Sequence, residues 1–196
     1  MHFSSVLLSD AVESFSSLPG IGKKTALRLV LHLLQEDPNA TKNMAENLVK
    51  MRENIKYCSQ CFNISDNDIC QICSNSKRDK SVICVVRNIK DIIAIEETGY
   101  HVLGDLISPI DGIGPDDIRI NELEARLDKD EVKEIIMAIT PSIEGDTTIF
   151  YISKKLNQKE IPISTIARGV SFGGELEYAD EITLGRSIVS RVKYER

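Results

Sequence analysis

Apolar residues return every three or four positions through the first 55 residues, and then the rhythm changes. Val6, Leu7, Ala11, Val12 and Phe15 predict a helix from about Ser4 to Ser16. Leu18-Pro19-Gly20-Ile21-Gly22 breaks the period, because two glycines and a proline within four residues make a tight turn. A second helix then carries Ala26, Leu27, Val30, Leu31 and Leu34 on its apolar face and ends at Asp37-Pro38-Asn39. Thr41 or Asn39 is placed to cap a third, which carries Met44, Ala45, Leu48, Met51 and Ile55 at helical spacing. From Lys80 onward short apolar runs alternate with helical stretches. The runs Val82–Val86, His101–Leu103, Glu134–Ile139 and Ile161–Ile166 read as strands. Ile89–Glu97, Asn121–Leu127, Thr147–Leu156 and Ala179–Val192 read as helices, and Ser108 to Asp117 as a Gly/Pro/Asp loop. This alternation predicts a parallel α/β sheet.

Composition adds bounds. The 196 residues are 42% hydrophobic, enough for a core, and suit one domain with appendages or two small domains. No apolar run approaches the roughly 20 residues of a membrane span. Met1 to Asp10 has no basic stretch ahead of its short apolar patch, so a signal peptide is not expected and the reading is cytoplasmic. The net charge of −6 speaks against a nucleic-acid partner until it is divided. Residues 1–56 hold seven basic and six acidic side chains, whereas 57–196 hold seventeen and twenty-four. Between Leu18 and Leu34 stand three bases and no acid, and the field at contact range governs an encounter with phosphate.

Four of the five cysteines form two Cys-x-x-Cys pairs, Cys58/Cys61 and Cys70/Cys73, separated by eight residues. The odd total argues against a disulfide framework. The polar segment between the pairs offers almost no core for unligated thiols, and a redox dithiol needs only one pair. Four thiolates at this spacing predict a closed, structural Zn²⁺ site with no position left for a catalytic water. Such a site would lock the helical N-terminal part onto the α/β part. The fifth, Cys84, lies in Val82-Ile83-Cys84-Val85-Val86 and reads as a small core residue.

Two further constellations bear on chemistry. Gly20 and Gly22 permit a close backbone approach, and the helix that starts after them turns its free N–H groups outward. Lys23, Lys24 and Arg28 lie in its first two turns. The arrangement is either an ordinary helical turn with solvated lysines or a phosphate-backbone grip, and three bases without an acid favour the grip. His32 falls near the apolar face, where core or boundary packing is expected. Glu144 and Asp146 follow the strand Glu134–Ile139. They are placed either for Mg²⁺ or to stabilise a helix dipole, and spacing alone favours the dipole role.

In order along the chain these parts resemble the bacterial RecR family of recombination mediators. Leu18-Pro19-Gly20-Ile21-Gly22 with Ala26 and Arg28-Leu29 is similar to its hairpin, and the four cysteines to its finger. His101-Val102-Leu103-Gly104 with Ser108-Pro109-Ile110-Asp111-Gly112-Ile113-Gly114-Pro115 is similar to its signature, as is Ile166-Ala167-Arg168-Gly169 with Gly173-Gly174-Glu175-Leu176-Glu177-Tyr178-Ala179-Asp180-Glu181. The resemblance implies an α+β / α/β fold in four parts. These are a helix-hairpin-helix region at 1–56, a four-cysteine zinc finger at 57–76, a Toprim α/β domain at 80–176 and a C-terminal tail helix at 177–196. It implies a non-enzymatic, DNA-binding mediator of recombinational repair. With RecO and RecF it would promote RecA loading on gapped single-stranded DNA, as a dimeric or tetrameric ring. Toprim enzymes carry a glutamate at the end of the first strand and an acidic pair further on. Glu144 and Asp146 match the pair, but the first-strand position, where the family usually has an acid, is Arg87. An arginine repels a cation, so a Mg²⁺-dependent nuclease or topoisomerase-like activity is the weaker alternative. The acids are then candidates for docking a basic partner such as RecO.

Overall fold

The computed structural model describes residues 3–93, 98–170, 173 and 175–194, which form two compact units, 1–55 and 56–196. The first unit is three helices, α1 (Val6–Ser16), α2 (Lys23–Gln35) and α3 (Pro38–Asn54). Ser5 caps α1 by accepting the Leu8 N–H at 3.3 Å. Val12 of α1 packs on Ala26 and Val30 of α2, and Ala26 is fully buried. The third helix starts earlier than Thr41 or Asn39 would allow. Asp37 is its cap, accepting the Asn39 N–H at 2.7 Å, and Pro38 takes the first helical position, where its missing N–H costs nothing. The apolar stripe of α3 is not buried within the unit: Met44, Leu48, Met51 and Ile55 are 38–54% exposed. Likewise only the first half of the α2 stripe is used, for Leu31 and Leu34 remain exposed.

The second unit begins with a two-stranded antiparallel ribbon, β1 (Lys56–Tyr57) and β2 (Ile64–Ser65), and a single helical turn, α4 (Gln71–Ser74). A four-stranded parallel sheet follows, in the order β4-β3-β5-β6, made of β3 (Asp79–Val86), β4 (Thr98–Val102), β5 (Glu134–Ala138) and β6 (Ile163–Thr165). Between strands lie α5 (Ile89–Ile93), α6 (Ile120–Leu127) and α7 (Ile143–Lys155), and α8 (Glu181–Val189) closes the chain. The helix expected over Ile89–Glu97 is described only to Ile93; 94–97 lie outside the described residues, as does Gly174 of the second signature. The helix expected at Thr147 begins instead at Ile143. Ser142 caps it by accepting the Gly145 N–H at 3.0 Å, which moves Glu144 and Asp146 into the first helical turn. A Cβ on Gly145 would stand 2.3 Å from the Thr140 carbonyl oxygen, so only glycine lets this helix start so close to β5.

A parallel sheet needs cover on both faces. On one face Ile83, Val85, Ile135 and Met137 pack with Leu123 and Leu127 of α6, with Ile152 of α7 and with Leu156 just after it. On the other, Cys84, Val86, Tyr100, Val102 and Ala138 form a smaller cluster closed by Ile92 of α5 and by Phe62 and Ile72 of the cysteine segment. Cys84 is thus the core residue its sequence context predicts. The cysteine segment also reaches the sheet edge, where the Val102 N–H donates to the Cys61 carbonyl at 2.9 Å. Arg126, itself buried, donates to the Tyr100 carbonyl at 2.5 Å and to Asp130 at 3.0 Å, and Asp130 also accepts from Gln60 at 3.2 Å.

His101 is fully buried at this junction, edge-on to Phe62 with ring centroids 5.5 Å apart. Its Nε2 lies 2.7 Å from the Arg119 carbonyl, which can only accept, so Nε2 carries the proton. Desolvation by burial pulls the His101 pKa down to about 4, and the ring is neutral at pH 7. Its folded pKa lies below the ordinary 6.5. The stability it contributes is therefore full above pH 6.5 and is lost as pH falls toward 4, to a total on the order of 3 kcal/mol. Urea unfolding at steps between pH 7 and 5 is expected to show that decline, and His101→Gln to flatten it.

Candidate zinc and nucleic-acid sites

Cys58 and Cys61 sit on the turn after β1, while Cys70 and Cys73 bracket the start of α4. All four are buried, and their sulfurs lie within 4.8 Å of one another. Cys61 Sγ and Cys70 Sγ are 3.5 Å apart, close to the about 3.8 Å edge of a tetrahedron with 2.3 Å metal–sulfur bonds. The Cys70 N–H donates to Cys58 Sγ at 3.3 Å and the Cys73 N–H to Cys70 Sγ at 3.5 Å. Burial pushes the Cys58 thiol up, but the N–H groups of Cys70, Cys61 and Gln60 outweigh it and bring it down to about 6. Cys61 is pushed up by its hydrogen bond with Cys73 and by burial, and Cys70 is pushed up by burial. One sulfur ionises readily while crowding opposes the next, and a dication relieves that opposition. The donor set, burial and geometry fit Zn²⁺.

The hairpin turn between α1 and α2 is built as its glycines require. Gly20 adopts φ +78°, a left-handed conformation that side chains disfavour, and Gly22 is the bare N-cap of α2. Lys23, Lys24 and Arg28 are exposed, and among the described residues no carboxylate forms an ion pair with them. Lys24, Arg28 and His32 stand one turn apart along α2 and line a shallow groove of about 380 Å³ with Leu27, Leu31 and Gln35. His32 is therefore not packed in a core. Its side chain is 65% exposed and lies 3.6 Å from Glu36, because this part of α2 has no helix against it within the unit. A stripe of cations next to free helix N–H groups is suited to a phosphate backbone and carries no means of reading bases.

Glu144 and Asp146 come to the C-terminal edge of the parallel sheet, as does Arg87, directly after β3. The arginine is not idle. It donates to Asp105 through Nε at 3.1 Å and Nη2 at 2.9 Å. Asp146 is taken as well. Arg168, just beyond β6, binds it with both guanidinium ends, one at 3.3 Å, and Arg186 of α8 stands 3.8 Å away. The Arg168 hydrogen bonds hold the Asp146 carboxyl below its usual range. Glu144 is half-buried and forms no ion pair among the described residues. Among the described residues, the cysteines are the one group of three or more side chains placed to hold a metal.

Sequence reasoning missed the two arginines on Asp146, which are 22 and 40 positions away, beyond any local spacing. It also missed Arg119, whose guanidinium lies over the rings of Tyr57 and Phe62. No periodicity joins these residues; only the fold does.

A helical hairpin, a four-cysteine finger and a parallel sheet with paired acids and arginines at its C-terminal edge are the parts of a Toprim-containing protein. Residues 8–52 match the RecR helix-hairpin-helix, 55–75 the RecR four-cysteine zinc finger domain, 81–167 the Toprim domain and 169–192 the RecR C-terminal family. The chain is 55% identical to "Recombination protein RecR" of Cytophaga hutchinsonii, with 100% of the chain and 98% of that protein covered. It is 54% identical to the protein of the same name from Parabacteroides distasonis, covering 98% and 95%. The Flavobacterium johnsoniae protein is 55% identical, covering 100% and 98%. The chain belongs to the RecR family of recombination proteins. Among the described residues no helix is long and apolar enough to cross a membrane.

Because the finger helps to cover the second face of the sheet, metal removal is expected to unfold more than the finger. Cys58→Ala, or chelation of the wild type, should lower the melting temperature and speed amide exchange in β3 and β4. A variant that loses its metal while those strands stay protected would contradict this coupling.

Proposed function

We propose that this chain is a DNA-binding recombination mediator in recombinational repair. In this reading it acts in the cytoplasm with RecO and RecF to load RecA on gapped single-stranded DNA, and has no enzymatic activity of its own. The observation that carries the DNA part is the exposed stripe of Lys23, Lys24 and Arg28 beside the Gly20–Gly22 turn, with no ion pair to them among the described residues. We assign the zinc to Cys58, Cys61, Cys70 and Cys73, and divide the chain at 1–56, 57–76, 80–176 and 177–196. The zinc serves folding: structural sites of this type contribute roughly 10–16 kcal/mol in isolated fingers.

Assembly into a dimeric or tetrameric ring is supported by apolar surface left over after folding. Met44, Leu48, Met51 and Ile55 recur at heptad spacing on the exposed side of α3, and Ile182, Ile188 and Val189 of α8 are 65–82% exposed. Several hairpins facing one strand would sum their backbone contacts and overcome the net charge of −6. Glu144 and Asp146 remain the acids proposed to dock a basic partner such as RecO. Glu144 is half-buried but carries no ion pair among the described residues, whereas Asp146 is exposed and requires the partner to replace Arg186.

The alternative is a Mg²⁺-dependent Toprim nuclease or topoisomerase. Arg87 and the arginines on Asp146 weigh against it, since two-metal chemistry needs carboxylates that are available to the ions. A nicking assay with Mg²⁺ is expected to show no cleavage; cleavage abolished by Glu144→Ala would reverse the assignment. For DNA binding, Lys23→Glu/Arg28→Glu should weaken affinity by about tenfold or more and flatten its salt dependence, with an unchanged melting temperature. Fluorescence anisotropy at two salt concentrations reads both.

A further inference from the structure

Tyr57 closes β1 and Phe62 lies in the turn between the two ribbon strands, so both rings belong to the finger. Arg119 comes from the sheet side, just ahead of α6. Its guanidinium carbon is 5.2 Å from the Tyr57 ring centroid and 5.1 Å from that of Phe62. Gly104 makes room for it, because a Cβ there would stand 2.9 Å from Arg119 Nη1. Nearby cations are matched one to one, Lys56 with Asp68 at 2.9 Å and Arg87 with Asp105 at 2.9 Å. Among the described residues Arg119 has no such carboxylate, although it is half-exposed.

Stacking on two rings accounts for where the guanidinium is held. It does not account for a charge left unmatched at the surface, nor for Tyr57 being 59% exposed. A stacked guanidinium is fixed in orientation and keeps in-plane N–H groups for a bidentate acceptor. An exposed aromatic face beside it is suited to an unpaired base.

We propose that Tyr57 and Arg119 form a second nucleic-acid contact, on the finger–sheet unit, that takes single-stranded DNA: a base on the Tyr57 ring and a phosphate on the Arg119 fork. Duplex DNA buries its base faces in the stack and would use only the phosphate half. The inference rests on the reading that this chain binds DNA, but not on the hairpin being the place where it does so.

The test uses the full-length, zinc-loaded chain and an oligothymidine probe. Arg119→Gln keeps a planar head without the charge, and Tyr57→Leu keeps apolar cover without the ring. Each is expected to weaken oligothymidine binding by about threefold to tenfold, with zinc content and melting temperature unchanged. Arg119→Gln should also flatten the salt dependence by about 0.7 in slope, and Tyr57→Leu should leave duplex affinity intact. Should Arg119→Gln lower the melting temperature, Tyr57→Leu decides. Wild-type affinity in Tyr57→Leu overturns the proposal, as does an equal loss on duplex. It is also overturned if affinity falls only together with zinc content, which leaves a structural staple, or if polyglutamate competes as well as oligothymidine, which makes this an acidic-peptide site. Unchanged binding by Lys23→Glu/Arg28→Glu would instead remove the hairpin and leave this contact standing.

Discussion

The parallel sheet of this protein has one face covered by two of its own helices and the other covered jointly by α5 and by a segment that has almost no core of its own. Phe62 and Ile72 close the cluster of Cys84, Val86, Tyr100, Val102 and Ala138, and their positions are set by the four cysteines on either side of them. A parallel sheet exposed on one face would leave that apolar surface in water. Gathering four thiols around a dication would therefore not be a local ornament. It would fix the short ribbon and turn that help to complete the sheet, where the Cys61 carbonyl accepts the edge N–H of Val102. Energy gained by binding a metal there would reach the α/β domain through packing and a few polar links, among them the chain from Tyr100 through Arg126 and Asp130 to Gln60.

Arginines govern the electrostatics of the same unit. At the C-terminal edge of the sheet, where acids in a Toprim enzyme would gather cations, Arg87 engages Asp105 and Arg168 and Arg186 engage Asp146. These pairs are largely exposed, so each is worth no more than about 1 kcal/mol. Their effect is on charge: they hold guanidinium groups where metal ions would otherwise be attracted. Arg119 works in the opposite sense, as a cation stacked on the finger and left without a counter-ion among the described residues.

Stability and exposure are distributed unevenly. The sheet core is closed, while α3 and α8 bury no residue at all and keep apolar side chains in solvent. Surface of that kind in a folded chain is matched to association. Arg186, on α8, links the Asp146 site to the least buried α-helix of the second unit.

The order of residues was enough to specify the main helices, the parallel strands and a four-cysteine donor set that fits zinc. Helical spacing located α1, α2 and α3, alternating apolar runs located the strands, and paired Cys-x-x-Cys turns defined a donor set, because all three signals are local and repeat within a few residues. The Gly20–Gly22 turn and its three bases were legible for the same reason. Which stripes are buried was not legible: Met44, Leu48, Met51 and Ile55 have helical period but no partner within the unit, and periodicity reports amphipathicity rather than the identity of the covering surface. His32 was misplaced on the same ground. It took the folded chain to show that the finger shares the second cover of the sheet with α5, that His101 is sealed beneath it, and that arginines 18 to 62 residues away meet Asp105, Asp146, Tyr57 and Phe62. Those meetings depend on strand order and crossover geometry, which bring distant positions to one edge and leave no trace in local spacing.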